Sequence, residues 1–234
     1  MAARYYTKID DKTVKLPSVT TIIGVLDKPA LVYWAAGCAC DYILENTGTM
    51  PLDHGSPTEV VLWDELQDTI EHARKEFRNV SKKALDIGSA VHAAVEEWLK
   101  SGIEPESPSE GELSGFIAFL EWYDAHHVKT IKTEHTLYAD KYAGTTDLIC
   151  ELDGKRYLVD FKTTKKPKAK MGYAEWGYQT AAYRACYPDL EGNGILRLDK
   201  STGYPDFYDL SDGYEHDLKV FSVLTDLYYL THKF

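Results

Sequence analysis

The chain has 234 residues, 44% hydrophobic and 27% charged, which fits a folded domain with a sizeable core and excludes a chain too polar to collapse. A formal net charge of −11 argues against a general polyanion binder, so any grip on phosphate has to be local. The four cysteines, Cys38, Cys40, Cys150 and Cys186, follow no zinc spacing and are expected as reduced thiols. No apolar run reaches the roughly 18 residues of a membrane span, and MAARYYTKIDDK has no apolar signal core, so a cytoplasmic setting is expected.

Leu16 to Thr21 reads as a short extended run with Ser18 or Thr20 as cap for a helix over about 20–25. Pro29 then opens a longer helix carrying Leu31, Trp34, Ala35 and Cys38 at helical spacing. Asn46–Pro57 reads as a loop, and a third helix is expected over about Thr58–Phe77. Ser81–Lys100 is strongly helical, with Ala84, Ile87, Val91, Val95, Trp98 and Leu99 as its apolar stripe and Gly102 as its stop. A further amphipathic helix covers about Glu110–His126.

From Lys129 the period changes to about two. Strands are expected over Lys132–Ala139, Thr145–Leu152 and Arg156–Lys162, the last two joined by an Asp153-Gly154 turn. A helix over about Ala174–Tyr187 follows, then strands over Gly194–Asp199 and Asp206–Leu210, and a last helix over about Tyr214–His232. The expected fold class is α/β: one domain over 1–234, mainly helical to residue 127, with an α/β core from 128.

The chemistry concentrates in Gly144–Lys162. Side chains two apart on a strand share a face, so Asp160 and Lys162 point together and Phe161 points away. Pairing across the Asp153-Gly154 turn brings Asp147 beside them. An apolar hairpin has no structural need for two carboxylates and an ammonium at one end, because burying them is costly unless they pair or bind an ion. Carboxylates with water suit Mg²⁺ or Mn²⁺, which can acidify a water and neutralise charge growing on a phosphate.

Gly144-x-x-Asp147 followed by Asp160-x-Lys162 resembles the signature of the PD-(D/E)XK nuclease superfamily. Gln179-x-x-x-Tyr183 resembles the Q-x-x-x-Y motif of its RecB-type branch, which includes phage exonucleases. His92, within Gly88–His92, resembles that branch's upstream helical histidine. Pro17 to Thr20, followed by Leu31 and Trp34, resembles the leading segment of the phage-type members, so the likeness touches about residues 16–210.

The resemblance implies a restriction-endonuclease-like core and a mixed sheet in which the strands of Glu134, Asp147 and Asp160 are neighbours. It implies Asp147, Asp160, His92 and the Phe161 carbonyl as metal ligands for Mg²⁺ or Mn²⁺, Lys162 as the catalytic lysine, and Gln179 and Tyr183 on substrate phosphate or steadying that lysine. Glu134 would assist as a further carboxylate. The run KTTKKPKAK holds five lysines in nine residues, and Thr163, Lys165, Lys166, Lys168 and Lys170 would grip the DNA backbone. Arg74–Lys83 forms a second basic strip.

Structural alternatives stand beside each role. His92 could pair with Glu96 four residues on, Gln179 could be an exposed helix residue, Tyr183 could be wall, and Trp176 and Tyr178 could pack the core rather than stack on bases. The four-cysteine grouping of some relatives is missing, so no iron–sulfur cluster is expected, and without a G-x-x-x-x-G-K-[ST] loop the chain is no helicase. The implied activity is DNA hydrolysis, as an exonuclease in recombination or replication alongside a recombination or single-strand-binding protein and away from any membrane. An endonuclease and a non-catalytic nucleic-acid-binding module on the same fold are the rivals.

Overall fold

The structure, a computed structural model, describes residues 3–47, 59–164 and 174–232. It divides into two compact units, Met1–Leu26 with Gly88–Phe234, and Asp27–Ile87. No helix among the described residues is long and apolar enough to cross a membrane.

The larger unit opens with a small antiparallel pair, β1 (Tyr5–Thr7) and β2 (Lys15–Pro17). Ser18 then caps the short helix α1 (Val19–Ile23), its hydroxyl accepting from the Thr21 N–H at 3.0 Å. Helices α2 (Pro29–Thr47) and α3 (Glu59–Ser101) follow. Sequence reasoning expects two helices where α3 is continuous. The intervening Arg78-Asn79-Val80 contains neither Gly nor Pro, so nothing in the backbone ends the first helix. Gly102 does end it, at φ 73°, with its N–H donating to the Trp98 carbonyl. Leu31 and Trp34, which stand at helical spacing on α2, are exposed.

Helix α4 (Glu110–Ala125) starts at a Ser109/Glu112 capping box. Strands β3 (Lys129–Tyr138), β4 (Ala143–Leu152) and β5 (Lys155–Thr164) then form an antiparallel meander. Asp153 and Gly154 both have positive φ, 49° and 81°, as a tight two-residue hairpin requires. Helix α5 (Ala174–Ala185) is the crossover that makes β6 (Gly192–Asp199) parallel to β5, and β7 (Pro205–Asp209) returns antiparallel. Helix α6 (Tyr214–Thr231) closes the chain.

The result is a mixed five-stranded sheet in the order β3-β4-β5-β6-β7, flanked by helices. It agrees with the expected α/β class and with the expected adjacency of the Glu134, Asp147 and Asp160 strands. Helices α1, α5 and α6 cover one face, where Ile22, Leu137, Ile149, Leu158, Tyr183, Phe221 and Tyr228 pack together. On the other, Phe119 of α4 meets Phe161 of β5, and the last turns of α3 lie against α4 through Val91 and Gly115. Alternation along β5 produces this division, sending Leu158 and Asp160 to one side and Phe161 to the other.

Candidate active site and cation cluster

The site forms where the sheet forks. The β4–β5 ladder runs from Leu152–Lys155 to Leu148–Val159 and pairs no further, while β5 continues along β6 through Asp160, Phe161 and Lys162. Asp147 stands at the split, next in register to Asp160. Its Oδ2 accepts the Phe161 N–H at 2.5 Å, so a carboxylate replaces the backbone acceptor that β4 no longer offers. Its Oδ1 lies 3.3 Å from His92 Nδ1.

His92 reaches this point from α3. One turn earlier Gly88 lets the helix close on β5: a Cβ there would lie 2.9 Å from Thr163 Oγ1. The His92 ring also packs edge-on against Phe161, centroids 5.8 Å apart. Its expected alternative partner, Glu96, is ion-paired with Lys100 instead.

Glu134 faces Asp147 from β3. The residues on either side of it keep register with β4, Thr133 with Leu148 and His135 with Thr146, but Glu134 itself sits at φ 46°. A left-handed glutamate inside a strand is a strained conformation held by its surroundings. It leaves donor atoms of His92, Glu134 and Asp147 all within 4.8 Å of one another, an imidazole and two carboxylates that suit a divalent cation. The sequence points to Glu134 as an accessory carboxylate, but nothing in it signals the turned backbone.

Asp160, Lys162, Gln179 and Tyr183 make a second, contiguous group on the α5 face. Lys162 Nζ lies 2.5 Å from Asp160 Oδ2 and donates to Gln179 Oε1 at 3.1 Å. The Gln179 amide N–H₂ donates to Asp160 Oδ1 at 2.8 Å and to the Tyr183 hydroxyl at 3.3 Å. Gln179 and Tyr183 are buried, not on an exposed helix face. Asp160 Oδ2, also buried, has the ammonium as ion-pair partner but no well-angled hydrogen-bond donor.

The expectation of one pocket shared by Asp147, Asp160 and Lys162 is therefore met only partly. Asp147 joins His92 and Glu134, while both Asp160 oxygens are engaged by Lys162 and Gln179. The end of the β4–β5 pairing is the physical reason, since beyond it the two carboxylates acquire different neighbours.

Electrostatics tie the groups together. Burial pushes the Asp160 carboxyl up to about 6; Lys162 pulls it down and the Asp147 charge pushes it further up. Burial would lower the Lys162 ammonium, but the Asp160 and Asp147 carboxylates outweigh that and raise it, so the lysine stays cationic. Burial would likewise raise Asp147, yet the His92 hydrogen bond and charge, with Lys162 and the Phe161 N–H, hold it below the usual carboxylate range. His92, whose charged form burial disfavours, is raised on balance by Asp147. Burial, then Asp147 and Glu96, push Glu134 up to about 7. Tyr183, deeply buried, stays a neutral phenol. Acidic groups crowded enough to hold protons near neutrality are what a cation would relieve.

Of the expected DNA-gripping residues, Thr163 is half-buried next to Gly88, and Lys165, Lys166, Lys168 and Lys170 lie outside the described residues. Trp176 packs edge-on against Tyr208, and Tyr178 packs against the core. The described cysteines are free.

No protein-family profile and no curated protein matches the chain. Among solved structures it is similar to SSO0001, with 10% identity over 85% of this chain and 88% of that one, at a TM-score of 0.35. It is also similar to the alkaline exonuclease LHK-Exo from Laribacter hongkongensis, with 12% identity over 58% of this chain and 78% of that one, at a TM-score of 0.34. At those values neither likeness assigns an activity to this chain.

Proposed function

We propose that the protein is a divalent-metal-dependent deoxyribonuclease of the PD-(D/E)XK superfamily, in its RecB-type branch. It hydrolyses phosphodiester bonds in DNA as an exonuclease of phage-type recombination or replication, acting beside a recombination or single-strand-binding protein. The observation that carries this reading is the meeting, at the β4–β5 fork, of the His92–Glu134–Asp147 donor set with the Asp160–Lys162–Gln179–Tyr183 network.

The residues present fit a hard divalent cation. Oxygen donors dominate, one imidazole leans the choice toward Mn²⁺ over Mg²⁺, and Asp160 Oδ2 lacks a well-aligned donor. His92, Glu134, Asp147 and Asp160 would hold the ion, with the Phe161 carbonyl as a further ligand. Bound there, the ion would supply Lewis acidity and neutralise charge on the scissile phosphate.

The chain's own groups do the rest. Lys162 offers a permanent ammonium to the attacking water or to a phosphate oxygen. Gln179 fixes that ammonium from one side and Asp160 from the other, so the amine is aimed before substrate arrives. Tyr183 accepts from Gln179 and holds the amide orientation that serves both partners.

The test is incubation with linear, closed-circular and end-blocked DNA in Mn²⁺ or Mg²⁺, beside Lys162→Ala and Asp160→Asn. Linear DNA is degraded from its ends by the wild type, and each variant loses at least about a hundredfold in rate with unchanged circular dichroism. Retained cutting by purified Lys162→Ala refutes the assignment. Nicking of closed circles favours the endonuclease, and DNA binding without cutting favours the non-catalytic module.

A further inference from the structure

The continuity of α3 has a consequence for the smaller unit. Had the helix broken near Arg78, its basic residues would lie on two segments with no common direction. In one helix Arg74, Arg78 and Lys82 follow at intervals of four, about 6 Å apart along the axis, each turned by about 40° from the last. They form a single line, and Lys75 flanks it while Lys83 points to the far side.

All three side chains are exposed. Arg74 makes an exposed ion pair with Glu71 at 2.9 Å, of the kind that contributes little and exchanges readily, and Arg78 lies over the Phe77 ring, 5.6 Å from its centroid. The ten residues from Arg74 to Lys83 hold five basic side chains against one acid, Glu76, a net of +4 in a chain of net −11. A protein that repels polyanions overall concentrates cations on one helix at a repeat close to the separation of successive phosphates.

We infer that the Arg74–Arg78–Lys82 line of α3 is a binding surface for the phosphate backbone of a nucleic acid, with Lys75 at its margin. It recognises charge and spacing, because contacts to phosphate position a nucleic acid without reading its sequence. The inference rests on the nuclease reading only for the choice of DNA as the polyanion.

The test is fluorescence anisotropy of the full chain with labelled single-stranded and duplex oligonucleotides in EDTA, between about 50 and 200 mM salt. The variant is Arg74→Gln/Arg78→Gln/Lys82→Gln, since glutamine keeps the helix. Its control, Lys12→Gln/Lys129→Gln/Lys155→Gln, removes equal charge elsewhere. The line variant is expected to bind at least about tenfold more weakly, with a log–log salt slope on single strands shallower by about 2, while the control stays near wild type. Equal losses in both, no loss in the line variant, or no binding by the wild type overturns the proposal. So does loss only of an acidic-peptide probe, which would make the surface a protein-docking one. Because EDTA abolishes metal-dependent cutting, the result is independent of whether the nuclease reading survives.

Discussion

Substituting Gly144 by Ala tests how the sheet holds the Asp160–Lys162–Gln179–Tyr183 network. A Cβ at this position would lie 2.2 Å from Tyr183 Cε1, 3.0 Å from Cζ and 3.1 Å from Cδ1. Ordinary carbon contacts begin near 3.5 Å, so the ring has to retreat by about 1.3 Å. Tyr183 is buried within a packed cluster that includes Leu137, Ile149 and Ala182, which leaves it little room. Its hydroxyl already sits 3.3 Å from Gln179 Nε2, so even a modest retreat breaks that bond. Overpacking of this kind costs about 1–3 kcal/mol, or about 2–12 °C in Tm for a chain of this size. Urea unfolding of Gly144→Ala, Tyr183→Val and the double variant measures it. If the tyrosine ring is the obstacle, the alanine is far less harmful once the ring is gone, and the cycle shows a coupling of about 1 kcal/mol or more. Additive losses would refute the reasoning.

The Glu134 carboxyl, raised to about 7, makes two outcomes pH-dependent. In metal-free protein the folded state holds this proton where the unfolded state has lost it, so the Glu134 contribution makes stability fall as pH rises from about 4.5 to about 7. Glu134→Gln should flatten that window in urea titrations, and an unchanged profile would count against the placement. Cation binding must displace the same proton, so Mn²⁺ affinity by calorimetry should rise across this pH range and release a proton that buffers of different ionisation enthalpy detect. His92→Ala should weaken Mn²⁺ binding by about 10-fold or more without loss of fold; an unaltered Mn²⁺ titration would return His92 to a packing role.

Much of this architecture was legible because local and long-range signals agree. Asp153-Gly154 dictates the hairpin, and alternation about Phe161 puts Asp160 and Lys162 on the α5 face and the Phe161 ring against Phe119 of α4. The i, i+4 spacing of Gln179 and Tyr183 placed both on one side of α5, where they share a hydrogen bond. What escaped depended on tertiary context. No residue pattern marks where β4 stops pairing with β5, so the division of Asp147 from Asp160 could not be read from spacing. The left-handed Glu134 is equally silent, since glutamate adopts that conformation only when its surroundings hold it there. The merging of two expected helices into α3 shows the limit of reading ends from weak caps. Of the β1–β2 pair, β2 was expected only as part of an extended run from Leu16 and β1 not at all, because three-residue strands carry too little alternation to register.

Strand β3 closes one margin of the five-stranded sheet, and an unpaired margin of that length invites a second chain to add itself. Two irregularities interrupt it: the register shift between Thr130 and Lys132, and the turned peptide at Glu134. With Lys129 and Lys132 alongside, they deny a newcomer any straight, uncharged run to copy. Straightening the backbone at residue 134 would thus do more than disperse three donor atoms. It would hand the protein a smooth border, and concentrated solutions would be the first to show it by clumping.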